Sequence, residues 1–281
     1  MSNKQDKLYR DVRLRMLGTE YKDFRIDFDI RKDLAGEPNE AKIHIYGLSP
    51  ETRARALENE FDTVIQLYAG YEGNVAKLFE GQPIQEGVTE ESDGPDKEII
   101  IEAAGGRSVI KTTKVSYSVD QVRTYQEAVN EFTMVAARGN PRLAERPIEI
   151  QPDLPNGHKQ LPAGMVYSGN LPEIADSLAE DLDADWSFQN GVFVFLHKEA
   201  TRPRPGPLFS DETGNLIHGP SPKEGGIEIT VLLEDIEPGQ QFKVKSRTRP
   251  QKNGVYKATS VHHTGSRYED NFYTTIEGRA V

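Results

Sequence analysis

In the stretch Phe24-Arg25-Ile26-Asp27-Phe28-Asp29-Ile30, apolar side chains occupy every second position and charges fill the places between. Successive side chains on a strand point to opposite faces. This period therefore sets Phe24, Ile26, Phe28 and Ile30 on one buried face and the charges on a wet one. A helix would scatter the same side chains around its axis, so the segment is committed to a sheet. Ala41-Lys42-Ile43-His44-Ile45-Tyr46 repeats the pattern. Ser49 then stands as an N-cap with Pro50 at the first helical position, opening a short helix over 50–58 that carries Ala54 and Leu57. Strands are expected again at 63–69, 76–80, 82–86 and 97–103, with Gly70-Tyr71-Glu72-Gly73 as a turn. Strands this short and closely spaced predict a small barrel or sandwich over 1–105, the helix plugging one end.

From about residue 106 the period changes. Thr124-Tyr125-Gln126-Glu127 is a capping-box pattern; Ala128, Phe132, Val135 and Ala136 follow at helical spacing, and Gly139 is the stop. A second helix opens at Asn170 and carries Leu171, Ile174, Leu178 and Leu182. Trp186-Ser187-Phe188 and the run 192–196 flank Gln189-Asn190-Gly191, and Asn-Gly between apolar runs is a strong hairpin signal. Residues 106–198 thus read as a compact α/β unit. Residues 199–225, with five prolines and little periodicity, read as a linker or an arm reaching a neighbour, or equally as a surface loop. Strands return at 226–233, 241–246, 255–262 and 272–277, a second small barrel over 226–281. The expected class is α+β, mainly β, with two small antiparallel β-barrel domains flanking or enclosing a helix-and-hairpin domain. No sequence repeat links the two β regions, although their size and rhythm are alike.

The 281 residues include no Cys, which removes disulfides, thiolate zinc ligands and thiol nucleophiles together. Stability has to come from packing or from neighbouring subunits. A net charge of −11 argues against general nucleic-acid binding, which needs clustered Lys and Arg. The acidity either keeps the chain in solution or makes a wall past which phosphate slides without sticking. No apolar run approaches the ~20 residues that span a bilayer, and the N-terminus lacks the apolar segment of a secretory signal.

Motifs for chemistry are sparse. No P-loop, G-x-G-x-x-G or G-x-S-x-G occurs. Ser108-Val109-Ile110-Lys111 fits S-x-x-K without its companion motifs, and an ordinary strand edge is the plainer reading. His262 and His263 are adjacent, so on a strand they face opposite ways and do not share an ion. His44, His158, His197 and His218 show no ligand spacing. Asp181, Asp183 and Asp185 begin like a calcium loop, but Trp186 and Val192 stand where Gly and Glu are needed. The 45 acidic residues single out no pair for glycoside hydrolysis, and Trp186 reads as core rather than a sugar platform. No catalytic, cofactor-binding or metal-ligating residue is nominated, and no cofactor is expected.

Four ordered sets of segments carry a resemblance: 39–49, 64–71 and 78–81; then 169–171, 178–179, 185–187 and 190–192; then 213–217, 225–227, 232–233 and 236–239; finally 253–257, 261–265 and 273–278. In this order they resemble the central hub proteins of phage contractile-tail baseplates and related tail proteins. The resemblance implies a homotrimer whose two barrels per subunit present a pseudo-sixfold ring to the hexameric tail tube and a threefold face to the spike. It implies tail tube, spike and other baseplate proteins as partners, with tape-measure protein or DNA passing transiently through the lumen. It also implies a place in the virion's tail baseplate after assembly in the host cytoplasm, with no specific nucleic-acid binding, no membrane insertion and no catalysis. Two other classes remain open on sequence: a tail-associated cell-wall-degrading enzyme, and a peripheral receptor- or carbohydrate-binding module.

Overall fold

A computed structural model describes residues 9–58, 64–93, 96–146 and 148–281. The expected absence of a signal within residues 1–8 and the strand start at Thr63 lie outside the described residues. The N-terminal unit comprises β1 (Arg10–Met16), β2 (Thr19–Tyr21), β3 (Ile26–Asp33), β4 (Glu40–Tyr46), α1 (Pro50–Glu58), β5 (Ile65–Tyr71), β6 (Asn74–Asp93) and β7 (Asp96–Ala104). The middle unit follows with α2 (Arg107–Thr112), β8 (Lys114–Val119), α3 (Tyr125–Gly139), α4 (Pro141–Ala144), β9 (Ile148–Ile150), β10 (Met165–Asn170), α5 (Leu171–Leu182), β11 (Ala184–Gln189) and β12 (Val192–His197). The C-terminal unit holds β13 (Leu208–Ser210), β14 (Leu216–Lys223), β15 (Gly226–Leu232), β16 (Gln241–Lys245), β17 (Gly254–Ser266) and β18 (Phe272–Ala280). The chain is mainly β and its sheets are largely antiparallel.

Alternation does what it predicts in β3, where Ile26, Phe28 and Ile30 are buried. Phe24 precedes the strand and instead packs edge-on against Tyr21 at 5.5 Å. The segments 76–80 and 82–86 are one bent strand, β6. Its first part pairs with β5 as far as Gly81, and the rest pairs with β7 across a register shift between Pro83 and Val88. The bend needs glycine: a Cβ on Gly81 would lie 2.6 Å from the Ala104 carbonyl oxygen, and one on Gly87 2.5 Å from that of Glu102. Helix α1 buries Ala56 rather than the expected Ala54 and Leu57, of which Ala54 is exposed and Leu57 39% exposed.

The two β units share one sheet. Strand β3 gives its second edge to β17, from Asp27 opposite Ser266 to Asp33 opposite Ser260. This joint explains why neither unit is a closed barrel. Closure of the first would need β3 to turn back on β1 or β2, and that edge is taken. The second would need β13, three residues long and parallel to β16, to reach β14. Among the described residues the strand path ends at β14 on one side and β2 on the other.

Residues 199–225 differ from the expected linker or arm. They contain β13 and β14 and bury Arg202 and Phe209. The prolines that hid the strand, Pro220 and Pro222, are tolerated because β14 is an edge.

In the middle unit, Thr124 closes its capping box: its hydroxyl accepts from the Glu127 backbone at 3.3 Å, and its own N–H donates to the Glu127 carboxylate at 2.8 Å. Asn190 and Gly191 take φ of 52° and 87°, the left-handed pair of a two-residue hairpin between β11 and β12. Phe132, Trp186, Phe188 and Phe193 form the centre of this unit's own core, separate from the core of each β unit. No helix among the described residues is long and apolar enough to cross a membrane.

Candidate functional site

The residues weighed for chemistry are dispersed and engaged. Ser108 lies on helix α2 rather than a strand edge, and its hydroxyl accepts from the Arg142 guanidinium at 2.9 Å while Lys111 faces solvent. His262 meets the Asp29 carboxylate at 2.8 Å on the outer face, whereas His263 is wholly buried against Thr274 at 3.0 Å. Asp183 and Asp185 turn toward Lys198 (2.7 Å) and Lys257 (3.8 Å) rather than toward a common centre. Trp186 is 3% exposed and donates its indole N–H to Asp176 at 2.7 Å. Among the described residues, no group of three or more His, Asp or Glu side chains is placed to hold a metal ion.

What the fold does concentrate is a junction where all three units meet. Asn39, just before β4, donates to the Phe188 carbonyl and the Gln189 side chain at 2.8 and 2.9 Å, and Gln189 donates back to the Asp33 carbonyl at 2.8 Å. Asn190, at the hairpin tip, donates to the Lys77 carbonyl in the first unit and to Glu237 in the last. Glu80 on β6 is ion-paired with Lys77 and with Arg146 of the middle unit. Arg202 is buried between Glu149 on β9 and Glu237 of the C-terminal unit. Burial alone would raise the Glu237 carboxyl, but Lys32, Arg202 and Arg204 hold it below the usual carboxylate range. Lys32 is itself buried with no hydrogen-bond partner for its ammonium among the described residues, and burial lowers its pKa. No periodicity in the sequence marks a buried ion pair.

Lys257 ties the same joint from the other side, donating to the carbonyls of His197 and Lys198 at 3.2 and 3.0 Å. Burial, opposed by the nearby Asp185 carboxylate, lowers its pKa from 10.5 to about 8. Unfolded, the same lysine binds its proton up to the higher value, so between these limits the unfolded chain carries more protons and stability rises with pH. Below the folded value both states are protonated and the full cost, about 3 kcal/mol for the shift, is present. Urea midpoints of the native chain should therefore climb from about pH 8 to about pH 9.5, and Lys257→Met should flatten most of that climb. An unchanged slope in the variant would remove Lys257 as the cause.

The second feature is a broad outer face. The strands β6, β7, β4, β3, β17, β18, β15 and β14 lie in that order, and their outward positions are mostly polar or charged. Acids predominate there: Asp27, Asp29, Glu40, Glu98, Glu102, Glu228 and Glu277 against Arg31, Lys42 and Lys223. Cross-strand pairs lace them, including Lys42–Glu102 at 3.1 Å, His44–Glu98 at 3.0 Å and Lys223–Glu277 at 2.8 Å. Burial raises the Glu98 carboxyl, yet hydrogen bonds from Tyr46 and His44 outweigh it and hold the group low.

Within this sheet a repeat appears that the sequence does not display. The N-terminal half is ordered β3-β4-β7-β6 and the C-terminal half β14-β15-β18-β17, in each case first, second, fourth, third in chain order. Each third strand bends away to pair with the strand before it, β6 with β5 and β17 with β16. The halves are joined head to tail, the first strand of one lying against the third strand of the other.

No protein-family model matches the chain, and no curated protein matches its sequence. Solved structures do. A tail protein from Neisseria meningitidis MC58 superposes with a TM-score of 0.65 at 11% identity, covering 96% of both chains. The 43 kDa tail protein of prophage MuSo2 from Shewanella oneidensis gives 0.60 at 9% identity, over 96% of this chain and 98% of that one. An Escherichia coli component of the type VI secretion system, described as structurally similar to the bacteriophage T4 tail proteins gp27 and gp5, gives 0.60 at 11% identity over 95% of this chain and 76% of that one. The chain therefore has the fold of these tail proteins, and the resemblance read in its sequence is matched at that level.

Proposed function

We propose that this chain is a non-enzymatic structural hub of a phage tail baseplate, acting as a homotrimer around a central channel. The observation that carries the proposal is the duplicated four-stranded sheet, fused head to tail within one chain. Two such sheets per chain, taken three times, make six similar elements around one axis. A ring of this kind offers a near-sixfold surface to a hexameric tail tube. The middle unit, present once per chain, offers a threefold surface to a trimeric spike. The junction built on Arg202, Asn190 and Glu237 supports this reading, because symmetry matching requires the three units to keep fixed angles.

On this proposal the acidic, ion-paired outer face lines the channel. Phosphate is repelled there and the cations are already engaged, so DNA or tape-measure protein passes without being held. The protein would then reside in the tail baseplate of the virion, assembled in the host cytoplasm, with tube, spike and other baseplate proteins around it. The test is mass in solution combined with low-resolution imaging of the purified chain. A trimer with an open centre is the expected result. A strict monomer at high concentration, or turnover of peptidoglycan by the pure protein, would overturn the proposal.

A further inference from the structure

We infer that the middle unit carries a docking surface for an acidic peptide segment of another protein, built where α2 and α4 meet the start of β8. The inference goes beyond the hub reading and holds whatever the number of copies that assemble.

In a chain with a net charge of −11, cations gather at this corner. Arg107 and Lys111 stand one turn apart on α2 and so share a face. The Arg107 guanidinium is fixed by donating to the Pro83 carbonyl at 2.5 Å. From α4, Arg142 reaches the same helix and donates to the Ser108 hydroxyl at 2.9 Å. Asn140, between α3 and α4, locks the corner by donating to the Thr112 and Thr113 hydroxyls at 3.3 and 2.8 Å. That elbow brings the end of α3, with Arg138, to the start of β8, where a Cβ on Gly139 would lie 3.4 Å from the Lys114 carbonyl oxygen. Lys111, Lys114, Arg138 and Arg142 are exposed and carry no ion pair among the described residues. The acids of the same elements are drawn to the other end, Glu127 and Glu131 in the first half of α3 and Asp120 past the end of β8. Of the acids nearer the corner, Glu80 is ion-paired with Lys77 and Arg146, and Glu173 accepts from the Asn170 backbone at 2.9 Å. Glu145, at the end of α4, is exposed.

Shape decides which anion fits. Arg142 and Arg146 line a notch of about 60 Å3 together with Val64, Val109 and Phe188. Benzene occupies an apolar cavity of about 150 Å3, so the notch turns away a nucleobase and admits a small aliphatic side chain. Guanidinium forks match carboxylates two hydrogen bonds at a time. Met134, exposed one turn before Arg138 on α3, adds adaptable apolar surface beside the cations. Carboxylates flanking a small apolar residue satisfy both the charge and the notch, whereas the phosphates of a nucleic acid satisfy the charge alone. The segment Ser108-Val109-Ile110-Lys111 then serves recognition: Ser108 steadies Arg142, and Lys111 stands free for the partner.

The test is fluorescence anisotropy of the purified chain with a fluorescein-labelled peptide of alternating Glu and Val. Saturable binding at low salt that weakens as salt rises is the expected result. Lys111→Gln combined with Arg142→Gln should weaken it by about tenfold or more, the worth of a lost hydrogen bond to a charged group. Both side chains are exposed, so the urea midpoint should hold and loss of binding is not loss of fold. Arg123→Gln, at the far end of α3 and paired with Glu127, should bind as the native chain does. A peptide with Phe in place of Val should bind more weakly, because the ring does not enter the notch. No saturable binding of the Glu–Val peptide overturns the inference, as does a double variant that binds it like the native chain. Equal or tighter binding of an oligothymidylate of the same charge overturns it in favour of a general polyanion surface. Peptide binding by a chain that stays monomeric overturns the ring and leaves this surface standing.

Discussion

Replacing Arg202 by Met should lower the unfolding free energy by about 3–5 kcal/mol, the cost typical of stranding a buried partner charge. The guanidinium is wholly buried. Its Nε and Nη2 donate to the Glu149 carboxylate at 2.7 and 2.9 Å, and its Nη1 donates to Glu237. Met fills much of the volume but leaves two carboxylates facing one another across the joint, with Lys32 and Arg204 as the remaining cations near Glu237. A second signature follows from linkage. The Glu237 carboxyl is held low in the folded state, so its stabilising contribution is present above the unfolded carboxylate pKa and is lost as pH falls through the folded one. Without Arg202 the folded pKa rises, and acid unfolding should begin at a higher pH. Arg204→Met is the control, since that side chain is 47% exposed and its pairs should be worth less than about 1 kcal/mol. Urea unfolding at neutral pH reads both, and an Arg202→Met variant within about 1 kcal/mol of the native chain would refute the account of the junction.

Local chemistry was legible in the sequence wherever one residue type forces one geometry. Thr124 with Glu127, Ser49 with Pro50 and Asn190 with Gly191 each announce their element, and each is found there. Val115, Tyr117 and Val119 alternate as plainly as β3 does, but the helical spacing that dominates the surrounding segment masks β8 in the sequence. The β3–β17 joint left no trace. Edge pairing is made by backbone amides that every residue carries, so alternation tells which face is buried and not which strand lies beside it. The duplicated sheet was invisible for a related reason. Strand order constrains only where apolar side chains face, and Ile, Val, Phe or Ala satisfy that equally. Buried Arg202, Lys32 and Lys257 escaped because a charge becomes internal only when distant units close over it.

The joint itself should fail most sharply at Gly265. Gly265 sits opposite Phe28 across the β3–β17 pair, and a Cβ there would lie 2.4 and 2.7 Å from two carbons of the Phe28 ring and 2.9 Å from Phe272. Neither ring has room to yield. Phe28 and Phe272 are buried edge to face at 6.2 Å, Tyr71 closes on Phe272 at 5.3 Å, and the Arg10 guanidinium lies over the same ring at 5.0 Å. The backbone at Gly265 is not in the left-handed region, so the requirement is purely for space. Gly265→Val should therefore destabilise the chain by about 3 kcal/mol, the upper range for forcing atoms into a filled core. The strain falls on the pairing of β3 with β17, so far-ultraviolet circular dichroism should change little while amide exchange quickens along Ile30 and His263. The proposed trimer should be lost with it, because two blocks hinged at a loosened joint no longer describe a closing rotation. Adding Phe28→Leu to Gly265→Ala should recover about 1 kcal/mol or more relative to the sum of the single changes, the coupling expected of groups in direct collision. A Val variant that keeps both its urea midpoint and the proposed trimer would mean that the shared sheet does not set the angle between the two β units.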